Sequence, residues 1–320
     1  MLITPLIIGG GPTSGKGVLP ALLDGHPEIF AIPMWHDGMI ACLDDLQRSM
    51  PRIFLQLSRD YEKYLYVFLA SSACTTRYMV LQIAAQARCM NFPLDSERSV
   101  PVPFTFAFSR FSEGLFADLL DMGMDFADVP RLFHAVFKNL HAELTGGGKP
   151  LPRYGVSVLP LDFCRYEMLR SMYPEAKCVF IRRDIIGAFA ATIARNAKMN
   201  GQPIEKYMHQ YCTNAYTLRI VKNVLNAERV AVAHPDFMVV FDFFELIQNT
   251  EYCLRKACAH LGLEYLPTMR QATFLGKPIA LDAVGIVHDE PRNLLSAAQL
   301  DMLKTYIDYL RLQAERELEA

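Results

Sequence analysis

The segment that most constrains this chain is Ile7-Ile8-Gly9-Gly10-Gly11-Pro12-Thr13-Ser14-Gly15-Lys16-Gly17-Val18-Leu19. An apolar run enters a glycine-rich turn, and the turn opens a stripe of Val18, Leu19, Leu22 and Leu23 at helical spacing. Strand, glycine loop and helix in that order begin an α/β unit, because the apolar face of the helix must pack back on a sheet. Glycines let the backbone turn tightly and point successive N–H groups inward, a geometry that binds phosphate or sulfate. Lys16 places a full positive charge beside that cradle.

The rest of the 320 residues extends the same pattern. Short runs rich in Val, Ile and Phe at 5–9, 29–33, 154–159, 177–182 and 237–243 predict strands, several of them apolar throughout, as in sheets covered on both faces. Helical stripes lie between and after them. One consists of Phe133, Phe137, Leu140 and Leu144, and another of Leu300, Leu303, Ile307 and Leu310 behind a Ser296/Gln299 capping box. A helix over 250–261 should stop at Gly262. Strands alternating with helices predict an α/β fold with a doubly wound, mainly parallel sheet. The stretch of about 38–145 reads as a helical insertion that shapes a substrate pocket, within a single domain spanning 1–320. Thr145-Gly146-Gly147-Gly148-Lys149-Pro150 is read as the loop back to the sheet.

Composition excludes some classes of partner. The net charge is −2, so no general affinity for nucleic acid is expected, and any anion site must be built locally. The apolar run 64–76 is too short to span a bilayer, and the N-terminal apolar stretch runs straight into the glycine loop as a strand. None of the eight cysteines forms a C-x-x-C pair, which fits buried thiols in a reducing cytoplasm and neither a metal site nor a disulfide framework.

Gly10 to Lys16 matches the P-loop pattern G-x-x-x-x-G-K, followed here by Gly17 where nucleoside triphosphatases carry the Mg²⁺-binding Ser or Thr. Leu22-Leu23-Asp24-Gly25-His26-Pro27-Glu28-Ile29 follows. Together the two segments resemble the S-G-T-T-L loop and L-L-D-x-H-P-E-I stretch of sulfotransferases that use 3′-phosphoadenosine-5′-phosphosulfate (PAPS). Tyr173-Pro174-Glu175-Ala176-Lys177 through Arg182-Arg183-Asp184 is similar to the F-P-x-A-K-x-I-x-I-x-R-D strand of the same family, and Val239 to Leu246 resembles its V-x-Y-E-D-L. Lys16 and Gly17 stand where the family has two threonines.

The resemblance implies a P-loop sulfotransferase-like enzyme. Thr13, Ser14, Gly15, Lys16, Gly17 and Val18 would bind the 5′-phosphosulfate. Arg183 would bind the 3′-phosphate, together with the residue in the family's serine position, which falls on Ala191 by strict spacing and on Thr192 with one residue inserted. PAPS would be the cofactor and adenosine 3′,5′-bisphosphate (PAP) its product. The acceptor would be a small molecule or carbohydrate bearing a hydroxyl or amine, and the implied location is cytoplasmic. The segment 271–278 would correspond to a late loop closing over the cofactor.

Sulfuryl transfer needs a base to remove the acceptor's proton. His36, after the second strand, has a suitable titration range. Asp37 either takes that role or orients the imidazole. Two alternatives stay open at this point: a P-loop kinase using ATP and Mg²⁺, and a nucleotide-binding protein without catalysis.

Overall fold

The computed structural model describes residues 1–31, 108–123, 128–159, 164–213, 215–279 and 295–319. The chain runs β1 (Thr4–Gly10), α1 (Val18–Leu23), β2 (Ile29–Phe30), α2 (Phe108–Asp121), α3 (Val129–Thr145), β3 (Tyr154–Val158), α4 (Tyr166–Met172) and β4 (Lys177–Arg182). It continues α5 (Ile185–Asn200), α6 (Ile204–Thr213), α7 (Ala215–Ala233), β5 (Met238–Asp242), α8 (Phe243–Gln248) and α9 (Thr250–Leu261). A 3₁₀ turn (Pro267–Arg270), the short strands β6 (Thr273–Phe274) and β7 (Lys277–Pro278), and α10 (Ala297–Glu319) complete it.

Five strands form a parallel sheet in the order β2-β3-β1-β4-β5. Period-two alternation sends the side chains of β1 to opposite faces. Ile7 joins Phe133, Phe137, Tyr166 and Phe180 on one side, beneath α3, α4 and α7. Leu6 and Ile8 join Leu19, Val179, Ile181 and Leu254 on the other, beneath α1 and α9. Both faces are therefore covered, which explains why β1 and β4 read as continuous apolar runs rather than alternating ones. A third apolar cluster ties α5, α6 and α7 to α10 through Phe189, Ile220, Leu303 and Ile307.

Helix ends are capped locally, including the two predicted at Ser296/Gln299 and Gly262. Asp128 and Asp184 accept hydrogen bonds from the backbone N–H groups of Arg131 and Gly187, capping α3 and α5. Ser296 and Gln299 bond reciprocally at the start of α10, and Gly262 ends α9 with a φ of 65°. The second strand is shorter than expected, Ile29–Phe30, while 32 and 33 lie outside the described residues. Of the proposed insertion, α2 and α3 are described, and 38–107 lie outside the described residues.

One expectation needs correcting. The segment 271–278 forms the β6–β7 hairpin, and Asp24 anchors it by accepting hydrogen bonds from Thr273 Oγ1 and the Gly276 N–H, both at 2.8 Å. Asp24 follows α1, at the end of that helix opposite the glycine loop. The hairpin is thus held on the far side of α1 from the anion cradle. Burial pushes the Asp24 carboxyl up from its ordinary range, against the two hydrogen bonds that favour the anion. Among the described residues, no helix is long and apolar enough to cross a membrane.

Candidate functional site

β1 lies between β3 and β4. The chain leaves β1 toward β2 on one side, whereas after β3 it crosses to β4 on the other. At such a switch the carboxyl ends of the two neighbouring strands flank a crevice, where doubly wound sheets bind ligands. The glycine loop leaves β1 into this crevice.

The loop is fitted closely to the strands beneath it. A methyl group on Gly9 would lie 2.8 Å from the Tyr166 hydroxyl and 2.9 Å from the Phe180 ring. That hydroxyl donates to Asn223 Oδ1 at 2.7 Å in a fully buried pair. A methyl group on Gly10 would collide with Ser14 Oγ and crowd the Ile181 carbonyl at 3.0 Å, so a side chain here would displace Ser14. Gly15 has a φ of 81°, and Thr13 is held at a φ of 50°, a left-handed conformation that costs a non-glycine residue free energy. Two bonds fix Thr13 there. Its hydroxyl donates to the Ala188 carbonyl at 3.1 Å, and its own carbonyl accepts from Arg183 Nη1 at 2.6 Å.

Arg183 reaches the loop because β4 pairs with β1 to its end, Gly10 opposite Ile181, and β4 is also in register with β5, Arg182 opposite Asp242. Asp242 then caps α8 by accepting from the Phe244 and Glu245 N–H groups. This places the Phe243 ring under the Arg183 guanidinium, 4.5 Å from its centroid, with Phe244 at 5.8 Å. Arg183 is 5% exposed. Burial pushes its guanidinium down from the ordinary value, and the Asp184 charge opposes that shift.

Of the remaining predicted residues, those described fall into the same region. Lys16, also buried, donates from Nζ to the Leu159 carbonyl at 3.0 Å, which carries its ammonium across to the carboxyl end of β3. Ser14 is 1% exposed, and its Oγ has no hydrogen-bond partner among the described residues. Gly17 is the residue before α1 and Val18 the first residue within it, buried against the sheet. Thr192 Oγ1 donates to the Ala188 carbonyl at 2.8 Å, the same oxygen that accepts from Thr13. The structure therefore joins Thr13 to Thr192 through the Ala188 carbonyl, and Arg183 to Thr13. Ala191, the other residue considered for the serine position, is buried in the core. His36 and Asp37 lie outside the described residues.

Two contributors escaped the sequence reading. Leu159, the partner of Lys16, carries no chemical signal in its side chain. Phe243 reads as one more apolar residue at the end of a strand. Its only hint was a position beside Asp242, a good N-cap residue.

This donor set fits an anion with several oxygens. One ammonium, one guanidinium, a buried hydroxyl in need of a partner and a glycine-built backbone turn converge from β1, α1 and β4. Among the described residues, no group of His, Cys, Asp and Glu side chains is arranged to hold a metal ion.

No curated protein matches the chain in sequence. Solved structures resembling it include the sulfotransferase domain from the curacin biosynthetic pathway, at 15% identity and a TM-score of 0.48, covering 98% of each chain. The sulfotransferase domain of the Synechococcus PCC 7002 olefin synthase matches at 15% identity and 0.47, over 99% of this chain and 96% of that one. Sulfotransferase STF1 of Mycobacterium tuberculosis H37Rv matches at 14% and 0.44, over 96% and 77%. The decisive comparison is of sequence. The model of the sulfotransferase family matches residues 5–267, a stretch that contains the glycine loop, Arg183 and Thr192, and the chain belongs to that family.

Proposed function

We propose that this sulfotransferase takes the sulfuryl group of PAPS and transfers it to a hydroxyl or amine of a small-molecule or carbohydrate acceptor. The observation that carries the reading is the joining of Arg183 to the loop through the Thr13 carbonyl, which puts two cationic anion-binding elements on one rigid support. The loop residues 13–18 would hold the 5′-phosphosulfate, with Ser14 Oγ gaining the partner it needs. Arg183 and Thr192 would hold the 3′-phosphate. Bound there, PAPS supplies the activated sulfuryl group, and Lys16 would stabilise the negative charge that grows on the leaving phosphate oxygen. His36 would take the acceptor proton, with Asp37 beside it orienting the ring or standing in as base. We read the chain as one cytoplasmic domain, with the helical stretch of about 38–145 forming the acceptor side.

Two measurements test this. PAP should raise the melting temperature without Mg²⁺, since saturation at 100 times Kd adds about 2.7 kcal/mol. ATP should do less with or without the metal. Equal or greater stabilisation by Mg·ATP would favour a kinase and sink the proposal. For the base, kcat/KM should show an acid limb in the histidine range that His36→Ala removes while nucleotide affinity holds. An unchanged profile in that variant would take His36 out of the mechanism.

A further inference from the structure

Arg183 and the glycine loop are joined by a hydrogen bond and by a second contact, through a side chain that offers no polar group. Phe243 is 5% exposed and begins α8 directly after β5. One edge of its ring abuts the loop: a methyl group on Gly15 would sit 2.7 Å from Cδ2 and 2.8 Å from Cε2. Its face carries the Arg183 guanidinium at 4.5 Å. A guanidinium lying on an aromatic face keeps its N–H donors in the plane and directed sideways, toward whatever lies beside the ring. One of those donors is spent on the Thr13 carbonyl at 2.6 Å. Phe243 thus packs against the glycine that shapes the turn and carries the arginine over its face as well. Its own orientation is fixed from below, because Asp242 binds the next two N–H groups of α8 and its strand is in register with β4.

We infer that Phe243 is a positioning residue for nucleotide binding: its ring holds Arg183 and the loop at a fixed separation, and so confers preference for a nucleotide with a second phosphate at the 3′ position. This rests on the donor reading above. Loop and arginine, held apart by the ring, would offer separate partners to a ligand bearing two anionic groups. Leucine can fill the volume against Gly15, but it has no flat, electron-rich face for the guanidinium.

Calorimetric titration with PAP and with adenosine 5′-monophosphate, on wild type and variants, tests the inference. Wild type should prefer PAP. Phe243→Leu should weaken PAP about tenfold and the monophosphate less than about threefold, so the preference collapses, the scale expected when a cation–π contact is lost. Phe243→Tyr should restore the preference to within about twofold, since the face is kept. Phe243→Met serves if the leucine variant folds poorly, with the same expected outcome. A Phe243→Leu or Phe243→Met protein that melts lower yet keeps the wild-type preference would overturn the inference, because a purely structural residue would behave so. Wild-type protein with no preference for PAP would sink the donor reading, and the inference with it; that failure shows before any substitution is made.

Discussion

Replacing Lys16 by alanine is expected to lower kcat by roughly 10²–10³, the usual loss when one charge-stabilising donor is removed from a preorganised site. Affinity for PAP should stay within about threefold, because on the proposed reading ground-state contacts to the phosphates would be shared with Ser14, Arg183 and the loop backbone. The asymmetry follows from placement. Lys16 is buried, and its Nζ is held on the Leu159 carbonyl, at the carboxyl end of β3 across the crevice from β1. On the proposed reading a charge held there would meet the point where the sulfuryl group departs, and a preorganised charge contributes most where negative charge develops in the reaction. The family pattern has threonine at this position, so on the proposed reading an ammonium would stand here in place of a hydroxyl. Lys16→Met separates charge from packing, since it keeps most of the side chain's length. If kcat of the methionine variant matches wild type, Lys16 has no catalytic part.

Gly15→Val should disable the nucleotide site almost as severely. Gly15 has a φ of 81°, where a β-branched residue is a true outlier, and its added carbon would press into the Phe243 ring. Backbone strain of this kind costs about 1–3 kcal/mol. The loop can shed it only by moving off Phe243, which separates it from Arg183. PAP affinity should fall by about tenfold to hundredfold, the same free energy expressed as a binding constant. Gly276→Val makes a useful control: it also has a positive φ, of 75°, but lies in the hairpin behind α1. It should lower the melting temperature and leave PAP affinity alone. Loss of PAP binding in the control, or its retention in Gly15→Val, would contradict the assignment of the loop as the anion cradle.

Much of the architecture was legible because the sheet is covered on both faces. Apolar runs such as Val179-Phe180-Ile181 stand out when neither face needs polar residues, and Ser296, Gln299 and Gly262 mark helix ends by capping chemistry that is local. The site was legible where charge or glycine marked it: Lys16, Arg183 and the loop itself. What stayed hidden depends on register between distant strands. Nothing in the sequence around Phe243 says that it will stack on Arg183, because the contact arises only once β4 and β5 pair to their ends. The hairpin at 271–278 eludes a sequence reading for a similar reason. Its anchor is Asp24, 249 residues before Thr273, and a single carboxylate in a familiar-looking stretch does not announce a tertiary hydrogen bond.

The central position of β1 has a consequence for how the chain is made. Thr4 lies opposite Tyr154, and Leu6 lies opposite Lys177, so both neighbours of the strand emerge from the ribosome long after it does. At about 5–20 residues per second, the roughly 150 residues in between take on the order of ten to thirty seconds to translate. Throughout that interval Leu6, Ile7 and Ile8 have neither partner strand to pair with, and the nascent chain carries a sticky, β-prone segment. A chaperone that shields such segments during synthesis would therefore affect yield far more than it affects the finished protein.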